Sequence, residues 1–223
     1  GSSDLFPPEP VNVRVRIAVA QDAAFSFYYQ DNLDLLRAWG AELAPFSPMT
    51  DQALPEGVGG VYLGGGFPEL YAAPLSANRA MRTAIGEAAR QGLPIYAECG
   101  GLMYVCEGIV DATGERHEMA GIVPGWSAIN QPRLSLGYRS GVARRSSLLL
   151  RRGEEVRGHE FHWSELQNGP ADADAAYELT GDRPRLEGYA SGNVLATYVH
   201  VHFGSDPHLA PRFLAACRDG TQR

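Results

Sequence analysis

The order of apolar runs in the first half of the chain restricts the fold most strongly. Up to about residue 110, short runs rich in Val, Ile and Leu alternate with longer stretches whose apolar residues recur with a helical period. The predicted order is strand, helix, strand, strand, helix, strand, helix. This alternation is typical of a mainly parallel sheet with helices on both faces, so the sequence predicts an α/β fold.

The second half of the chain has a different pattern. Short strand-like runs are separated by turns, which predicts partly antiparallel strands, followed by a closing helix over 207–217. Residues 1–12 are rich in Gly, Ser and Pro and are interpreted as a tail or a former interdomain linker, and 13–223 as one domain. The predicted strands of the first half are 13–20, 41–47, 59–66 and 93–98, and the predicted helices are 26–40 (with Ser26 as N-cap), 75–92 and 100–109.

Composition excludes several classes of function. A net charge of −7 argues against a general nucleic-acid binder. The chain lacks 18 consecutive apolar residues, which predicts no membrane span, and its first residues lack the features of a signal peptide. The three cysteines form no CxxC pair and are odd in number, which fits free thiols in a reducing cytoplasm and predicts a cytoplasmic location. All 19 basic residues are arginine. A phosphate-binding P-loop needs a lysine, so ATP chemistry linked to this chain is expected on another domain or chain.

The chemistry is expected at "PIYAECGGLMYV", residues 94–105. Here an apolar run ends at Cys99, and two glycines precede the next apolar run, which predicts a nucleophile on a tight strand-to-helix turn. The amino end of the following helix is expected to lower the pKa of the thiol. The alternative is a buried, inert thiol, and Cys106 and Cys217, without such a context, are interpreted as structural.

Histidines are the expected bases for a thiol nucleophile. In "YVHVHF", His200 and His202 lie on the same face of a predicted strand, which makes this segment the best source of a base. Two imidazoles without a third matching ligand do not favour a zinc site, so no metal is expected. In "GHEFHWS", His159 and His162 lie on opposite faces, and a structural role is at least as well supported as a catalytic one.

Several motifs together resemble one family. "AECGGLMY", "YLGGGFPE", "GHEFHWS", "YVHVHF", "RLSLGYR" and "RIAVAQDAAFSFYYQDNLDLLRAWGAEL" resemble the glutamine amidotransferase domain of cobyrinic acid a,c-diamide synthase. The resemblance covers roughly residues 13–217. It implies a flavodoxin-like class I amidotransferase fold and a glutaminase reaction.

The resemblance also implies roles for individual residues. Cys99 would attack the side-chain amide of glutamine, and His200 would act as general base and then as general acid. Backbone N–H groups of Gly100 and of Gly65 or Gly66 would hold the oxyanion. His162 and Ser164 would contact the amino-acid end of glutamine.

The sequence departs from the wider class at two positions. The wider class carries C-x-G-x-Q, whereas Met103 occupies the place of the glutamine here. It also carries H-x-E, whereas His202 occupies the place of the carboxylate that orients the histidine. Both departures resemble the cobyrinate branch, and they leave Glu98 and His202 as the candidates for orienting His200.

A complete synthase of this family has an N-terminal ATP-binding domain. The resemblance implies that ATP and Mg²⁺ bind to that domain, whether it is fused or a separate chain, and that it presents the tetrapyrrole acceptor to ammonia. The expected acceptor is cobyrinic acid, and hydrogenobyrinic acid and nickel-sirohydrochlorin remain alternatives. A cysteine hydrolase or peptidase of the same fold, a non-catalytic interaction module and a homo-oligomer also remain open. The aromatic stretch "AFSFYYQDN" is interpreted either as helix packing or as a surface near the ammonia exit or the partner.

Overall fold

The computed structural model describes residues 5–129, 134–181 and 184–220. Five α-helices lie in these ranges: α1 (Gln30–Ala38), α2 (Ala72–Ala77), α3 (Arg79–Arg90), α4 (Gly100–Val105) and α5 (Leu209–Gly220). Among the described residues, none of these helices is long and apolar enough to cross a bilayer.

The strands are numbered in chain order. They are β1 (Val15–Ala20), β2 (Phe25–Phe27), β3 (Ala41–Phe46), β4 (Val58–Leu63), β5 (Gly65–Gly66), β6 (Ile95–Glu98), β7 (Cys106–Val110), β8 (Arg116–Glu118), β9 (Val123–Ala128), β10 (Ser135–Ala143), β11 (Glu155–His162), β12 (Glu165–Gln167), β13 (Tyr177–Leu179), β14 (Arg185–Glu187), β15 (Tyr189–Ser191), β16 (Val194–Thr197) and β17 (His200–Val201).

The central sheet is mainly parallel, as the alternation of elements predicts. Its strand order is β15-β16-β6-β4-β1-β3, and only the edge strand β15 runs antiparallel to its neighbour. In β1, Ile17 packs into the core on one face with α1 and α5, and Ala18 packs on the other face with α3 and α4. The sheet is therefore buried on both sides, which explains why its strands are apolar almost throughout.

The second half of the chain adds antiparallel pairing, again as predicted. One sheet has the order β14-β13-β10-β11-β17, with antiparallel neighbours throughout. Another has the order β12-β9-β7-β8, in which β7 and β9 are parallel. The closing helix is confirmed as α5. Strand β17 carries His200 from the central sheet to the edge of the antiparallel sheet.

The strand predicted over 59–66 is divided at Gly64 into β4 and β5, and three predicted helices have wrong boundaries. The helix predicted over 26–40 begins only at Gln30, and Ser26 is not its N-cap, because Phe25–Phe27 pairs with Gly65–Gly66 as a two-stranded ribbon. The helix predicted over 100–109 ends at Val105, because Cys106–Val110 joins a sheet. The helix predicted over 75–92 is interrupted at Asn78, whose side chain accepts a hydrogen bond from the backbone of α3.

The predicted tail is partly packed against the domain. The carbonyl oxygen of Leu5 accepts a hydrogen bond of 2.8 Å from the indole of Trp39. Residues 1–4 of that segment lie outside the described residues. The chain then enters β1 at the amino edge of the central sheet, whereas the glycine-rich strand ends lie at the carboxyl edge.

Candidate active site

Cys99 lies on a strained turn between β6 and α4, as the sequence predicts. Its backbone has φ 49° and ψ −102°, a conformation that residues other than glycine rarely adopt. The turn is held on both sides: the amide of Cys99 donates to the carbonyl of Thr197 over 2.7 Å, and its carbonyl accepts from the amide of Met103 over 3.1 Å. Strained residues of this kind persist only where the surrounding structure holds them in place, and they cluster at functional sites.

The glycines after Cys99 allow close approach of two backbones. A Cβ atom on Gly101 would lie 2.2 Å from the carbonyl oxygen of Leu63, so α4 could not pack against β4 with any other residue there. The amide of Gly101 donates to the carbonyl of Gly64 over 2.9 Å. A Cβ atom on Gly100 would lie 3.1 Å from the backbone nitrogen of Gly66. Gly100 and Gly66, two of the predicted oxyanion donors, are therefore adjacent beside Cys99.

Cys99 and His200 open onto one cavity of about 280 Å³. They come from different sheets, because Cys99 follows central strand β6 and His200 lies in β17. The other residues that line the cavity are Phe27, Gly66, Phe67, His159 and Phe161. The structure thus brings together the predicted nucleophile and the predicted base.

The thiol of Cys99 is held in its neutral form. Burial raises its pKa to about 12, and the nearby carboxylates of Glu69 and Glu98 act in the same direction. The backbone N–H of Gly100 opposes this shift. The expectation of a lowered thiol pKa is therefore wrong, since α4 has only six residues and its short dipole does not offset the burial of the sulfur. The thiol lies 3.5 Å from the carbonyl oxygen of Phe161, to which it donates.

The imidazole of His200 is also neutral. Burial, with a smaller contribution from the imidazoles of His159 and His162, lowers its pKa to about 4, and the carboxylate of Glu160 opposes this shift. Its ring packs edge-to-face on Phe27 with centroids 5.0 Å apart. A Cβ atom on Gly65 would lie 2.7 Å from Cε1 of this ring, so Gly65 leaves space for the base. A neutral, buried imidazole is in the correct state to accept a proton.

Neither candidate for orienting His200 contacts its imidazole through a hydrogen bond. The carboxylate of Glu98 turns into the core, where it accepts from Tyr62, Tyr96 and the backbone of Val201. His202 is partly exposed and lies 3.2 Å from Asp31. The buried Nδ1 of His200 has no hydrogen-bond partner among the described residues.

His162 and Ser164 lie beside a neighbouring cavity of about 470 Å³ rather than in the cavity of Cys99. The ring of His162 stacks on Tyr198 with centroids 4.0 Å apart, and its Nδ1 lies 2.8 Å from the carbonyl oxygen of Ser164. The hydroxyl of Ser164 lies 2.9 Å from that of Tyr198. Successive side chains of β11 point to opposite sides, so Phe161 faces the thiol and His162 faces away. Contact of His162 and Ser164 with glutamine therefore stays a prediction.

Comparison with known proteins identifies the family. The family model of the CobB/CobQ-like glutamine amidotransferase domain matches residues 16–208. The chain belongs to this family. The amidotransferase domain is also similar to curated proteins named cobyrinate a,c-diamide synthase. It is 49% identical over 216 residues to one from Dehalococcoides mccartyi strain 195, covering 94% of this chain and 46% of the relative.

Other relatives agree in name and in coverage. A cobyrinate a,c-diamide synthase from a Synechococcus strain is 48% identical over 210 residues, covering 93% of this chain and 45% of the relative. One from Picrophilus torridus is 44% identical over 215 residues, covering 96% and 46%. The amidotransferase domain therefore spans about half the length of the curated relatives it matches.

Solved structures confirm the flavodoxin-like class I amidotransferase fold. The structure of PurLQS from Thermotoga maritima matches with a TM-score of 0.65 at 15% identity, covering 93% of this chain and 99% of the other. The crystal structure of a protein named glutamine amidotransferase matches with a TM-score of 0.58 at 18% identity, covering 90% of this chain and 98% of the other. At this identity the likeness establishes the fold alone.

Sequence reasoning missed part of the cavity wall of the amidotransferase domain. His159 lines the cavity, although the sequence favoured a catalytic role for it no more than a structural one. Phe27 also lines it, because β2 replaces the first turns of the predicted helix. The period-two pattern of "GHEFHW", which places His159 and Phe161 on one face, is the signal that could have identified this wall.

A separate group of side chains has the composition of a metal site. Asp111, Glu115 and His117 place their ligand atoms within 4.8 Å of one another at the turn between β7 and β8. The carboxylate of Asp111 already accepts from Thr113, from the backbone of Glu115 and from His117. These hydrogen bonds explain the geometry of the turn. Among the described residues, the sheet to which β7 and β8 belong contributes none to the lining of the catalytic cavity.

Proposed function

We propose that this amidotransferase domain hydrolyses glutamine at Cys99 and supplies ammonia for amidation of the a and c side-chain carboxylates of cobyrinic acid in cobalamin biosynthesis. The observation that supports this proposal best is the strained Cys99 opening onto one cavity with the neutral imidazole of His200. The shared name of the curated relatives supports cobyrinic acid over other tetrapyrrole acceptors.

The first half of the reaction forms a thioester. His200 takes the proton of the Cys99 thiol as the sulfur attacks the side-chain carbonyl carbon of glutamine. A hydrogen bond to the negative oxygen of the tetrahedral intermediate comes from the backbone N–H of Gly100, and a second from the glycines at 65 and 66. The protonated His200 then gives its proton to the leaving nitrogen, and ammonia departs.

The second half regenerates the enzyme. Water attacks the γ-glutamyl thioester while His200 accepts a proton from it, and glutamate leaves as the sulfur regains a proton. The sum is glutamine plus water giving glutamate plus ammonia. The raised pKa of the thiol and the lowered pKa of the imidazole mean that both groups start neutral, so the charge pair forms only during attack.

The ammonia is consumed on a partner synthetase, which is either a fused half or a separate chain. There ATP and Mg²⁺ would activate a carboxylate of the acceptor as a phosphate, which ammonia displaces. The absence of lysine from this chain, and therefore of a P-loop, supports a separate location for that chemistry. The length of the curated relatives, about twice that of this chain, supports a partner of similar size.

Exposed apolar side chains around the catalytic cavity support a docking surface for that partner. Tyr138 is 90% exposed and lies opposite His159 across the β10–β11 pair, and Leu136 is 55% exposed and lies opposite Phe161. Clusters of large exposed apolar side chains are typical of interaction sites. We call the following residues the apolar collar: Phe27, Phe67, Leu136, Tyr138, Phe161 and Trp163.

The docking surface is tested with Tyr138→Ser and with Val13→Ser as a matched control. Val13 is also exposed and apolar, but it precedes β1 at the opposite edge of the sheet. The probe is the half of the Dehalococcoides relative that this chain does not cover. We expect the affinity of this probe for the domain to fall roughly ten-fold or more in Tyr138→Ser, because a few aromatic side chains supply most of the binding energy of an interface. Equal affinity for both variants would contradict the collar as the interface.

The glutaminase is tested with the isolated domain. We expect release of glutamate from glutamine and labelling of Cys99 by a glutamine-analogue electrophile, located by peptide mass mapping. Cys99→Ser is expected to lose activity by at least roughly 10³-fold, as removal of a nucleophile does, whereas Cys106→Ser retains it. Labelling elsewhere would refute the assignment.

The alternative functions are tested separately. Cleavage of a peptide substrate would favour a cysteine peptidase of the same fold. The acceptor is decided by supplying the synthetase half with ATP and each tetrapyrrole in turn.

A further inference from the structure

The segment that carries His200 has few hydrogen bonds from strand pairing. Between β16 and the helical turn at Phe203–Ser205, only His200 and Val201 are strand residues, and they pair with His159 and Gly158 of β11. The segment crosses from the central sheet to the antiparallel sheet and is buried. Its backbone polar groups therefore need partners from elsewhere in the protein.

Glu98 supplies one of these partners. Its carboxylate is 1% exposed and accepts a hydrogen bond of 2.8 Å from the backbone N–H of Val201. It also accepts from the hydroxyl of Tyr62 over 2.8 Å and from that of Tyr96 over 2.5 Å. Because Glu98 directly precedes Cys99, one side chain connects the backbone of the nucleophile to the backbone next to the base.

Asn32 of α1 supplies two more. Its side-chain N–H donates to the carbonyl oxygen of Val201 over 2.9 Å, and its side-chain oxygen accepts from the backbone N–H of Phe203 over 2.7 Å. Asn32 is fully buried. Both backbone polar groups of Val201 are thus bound by buried side chains from distant parts of the sequence.

We infer that Glu98 and Asn32 are positioning residues that hold Val201 from both sides and thereby fix His200 relative to Cys99. This inference rests on the proposed function, since it treats His200 as the base. It assigns Glu98 an action through the backbone instead of the direct contact for which the sequence made it a candidate. It also assigns a role to Asn32, which no motif identified.

We call the hydrogen bonds of Glu98 and Asn32 to Val201 the clamp. The position of the His200 imidazole depends on this clamp because few other contacts fix it. Its Nδ1 has no polar partner among the described residues, and its ring is bounded by Phe27 and by the backbone at Gly65. Apolar contacts limit where the ring can lie, but they do not fix its backbone. Loss of an acceptor would leave the N–H of Val201 buried and unpaired, which favours displacement of the segment.

The experiment compares two pairs of variants. Glu98→Gln keeps an oxygen for the N–H of Val201, whereas Glu98→Leu removes it. Asn32→Ala is matched with Asn78→Ala, because Asn78 is also buried and donates to two backbone carbonyls, those of Pro48 and Asp51. All four are measured for kcat and KM of glutamine hydrolysis, for thermal unfolding, and for the NMR signal of the His200 Cε1–H, assigned with His200→Gln.

We expect kcat to fall roughly ten- to a hundred-fold in Glu98→Leu and Asn32→Ala with KM for glutamine within about two-fold, since small displacements of a catalytic group cost this much. Glu98→Gln is expected to recover most of kcat. Asn78→Ala should lose stability but keep kcat and the His200 signal. These results separate a positioning role from a general structural one.

Equal losses of kcat in Asn32→Ala and Asn78→Ala, or an unchanged His200 signal in Asn32→Ala, would overturn the inference. So would equal kcat in Glu98→Gln and Glu98→Leu. If Glu98→Leu does not fold, Glu98→Gln and the asparagine pair still decide. If the unmodified protein does not hydrolyse glutamine, the proposed function fails, whereas the His200 signal still reports whether the clamp holds the imidazole.

Discussion

Replacement of Gly65 by alanine tests directly whether the position of His200 matters. The added Cβ would lie 2.7 Å from Cε1 of His200 and 3.3 Å from Cβ and Cδ1 of Phe27. Carbon atoms in contact are ordinarily about 3.5 Å or more apart, so the imidazole must move by about 0.8 Å. Phe27 packs against the same ring and restricts the direction in which it can retreat.

We expect kcat of Gly65→Ala to fall by roughly a hundred-fold, because a displacement near 1 Å can cost this much. The strain of overpacking should also destabilise the protein by roughly 1–3 kcal/mol. The assay is steady-state glutamine hydrolysis together with urea unfolding. Labelling of Cys99 by a small uncharged alkylating reagent should slow as well, since that reaction needs the base but not the glutamine contacts.

Gly86→Ala is the matched control. Gly86 lies within α3, where a Cβ would be 3.4 Å from its nearest neighbour, the carbonyl oxygen of Ala120. Alanine is favoured over glycine inside helices, so this variant should be as stable as the unmodified protein or more stable by up to ~1 kcal/mol, with kcat unchanged. A Gly65→Ala variant that keeps full kcat would refute the argument that this glycine leaves space for the catalytic base.

Further predictions concern buried groups elsewhere. Burial raises the pKa of Glu187 from 4.5 to about 7, so its contribution to stability is complete below pH 4.5 and is lost as pH rises through 7. The free energy of unfolding, measured with urea at each pH, should therefore decline less steeply between these pH values in Glu187→Gln than in the unmodified protein. The two slopes should differ by up to roughly 1.4 kcal/mol per pH unit, and equal slopes would contradict this. Cys106 and Cys217 are fully buried and should react with thiol reagents only at the rate of unfolding, which mass mapping across a urea series can check. Gly101→Ala, whose Cβ would lie 2.2 Å from the Leu63 carbonyl oxygen, should destabilise the protein by roughly 1–3 kcal/mol or more in thermal unfolding, and an unchanged Tm would contradict the close packing of α4 on β4.

The local pattern of the sequence was sufficient to predict the parallel sheet and the turn at Cys99. Both depend on neighbours in the chain, because the period of apolar residues selects strand or helix and the glycines permit the tight turn. The motif "YVHVHF" likewise placed His200 on a strand, and the structure places it beside the thiol. These features needed no knowledge of distant contacts.

Features that depend on distant partners were not predictable in this way. Phe25–Phe27 forms a strand because it pairs with Gly65–Gly66, and Cys106 leaves the helix because it pairs with Val123 of another strand. Helical periodicity near residue 26 cannot report a partner some forty positions away. Long-range pairing therefore decided these boundaries against local preference.

The electrostatics of the site were also decided by tertiary structure. The sequence determined that a cysteine follows a carboxylate at the end of a strand, but not that burial and Glu69 hold the thiol neutral. It determined that Glu98 lies next to Cys99, but only the fold turns its carboxylate toward Val201, a residue far along the chain. Solvation and hydrogen bonding depend on which segments surround a group, and that arrangement exists only once the sheets have assembled.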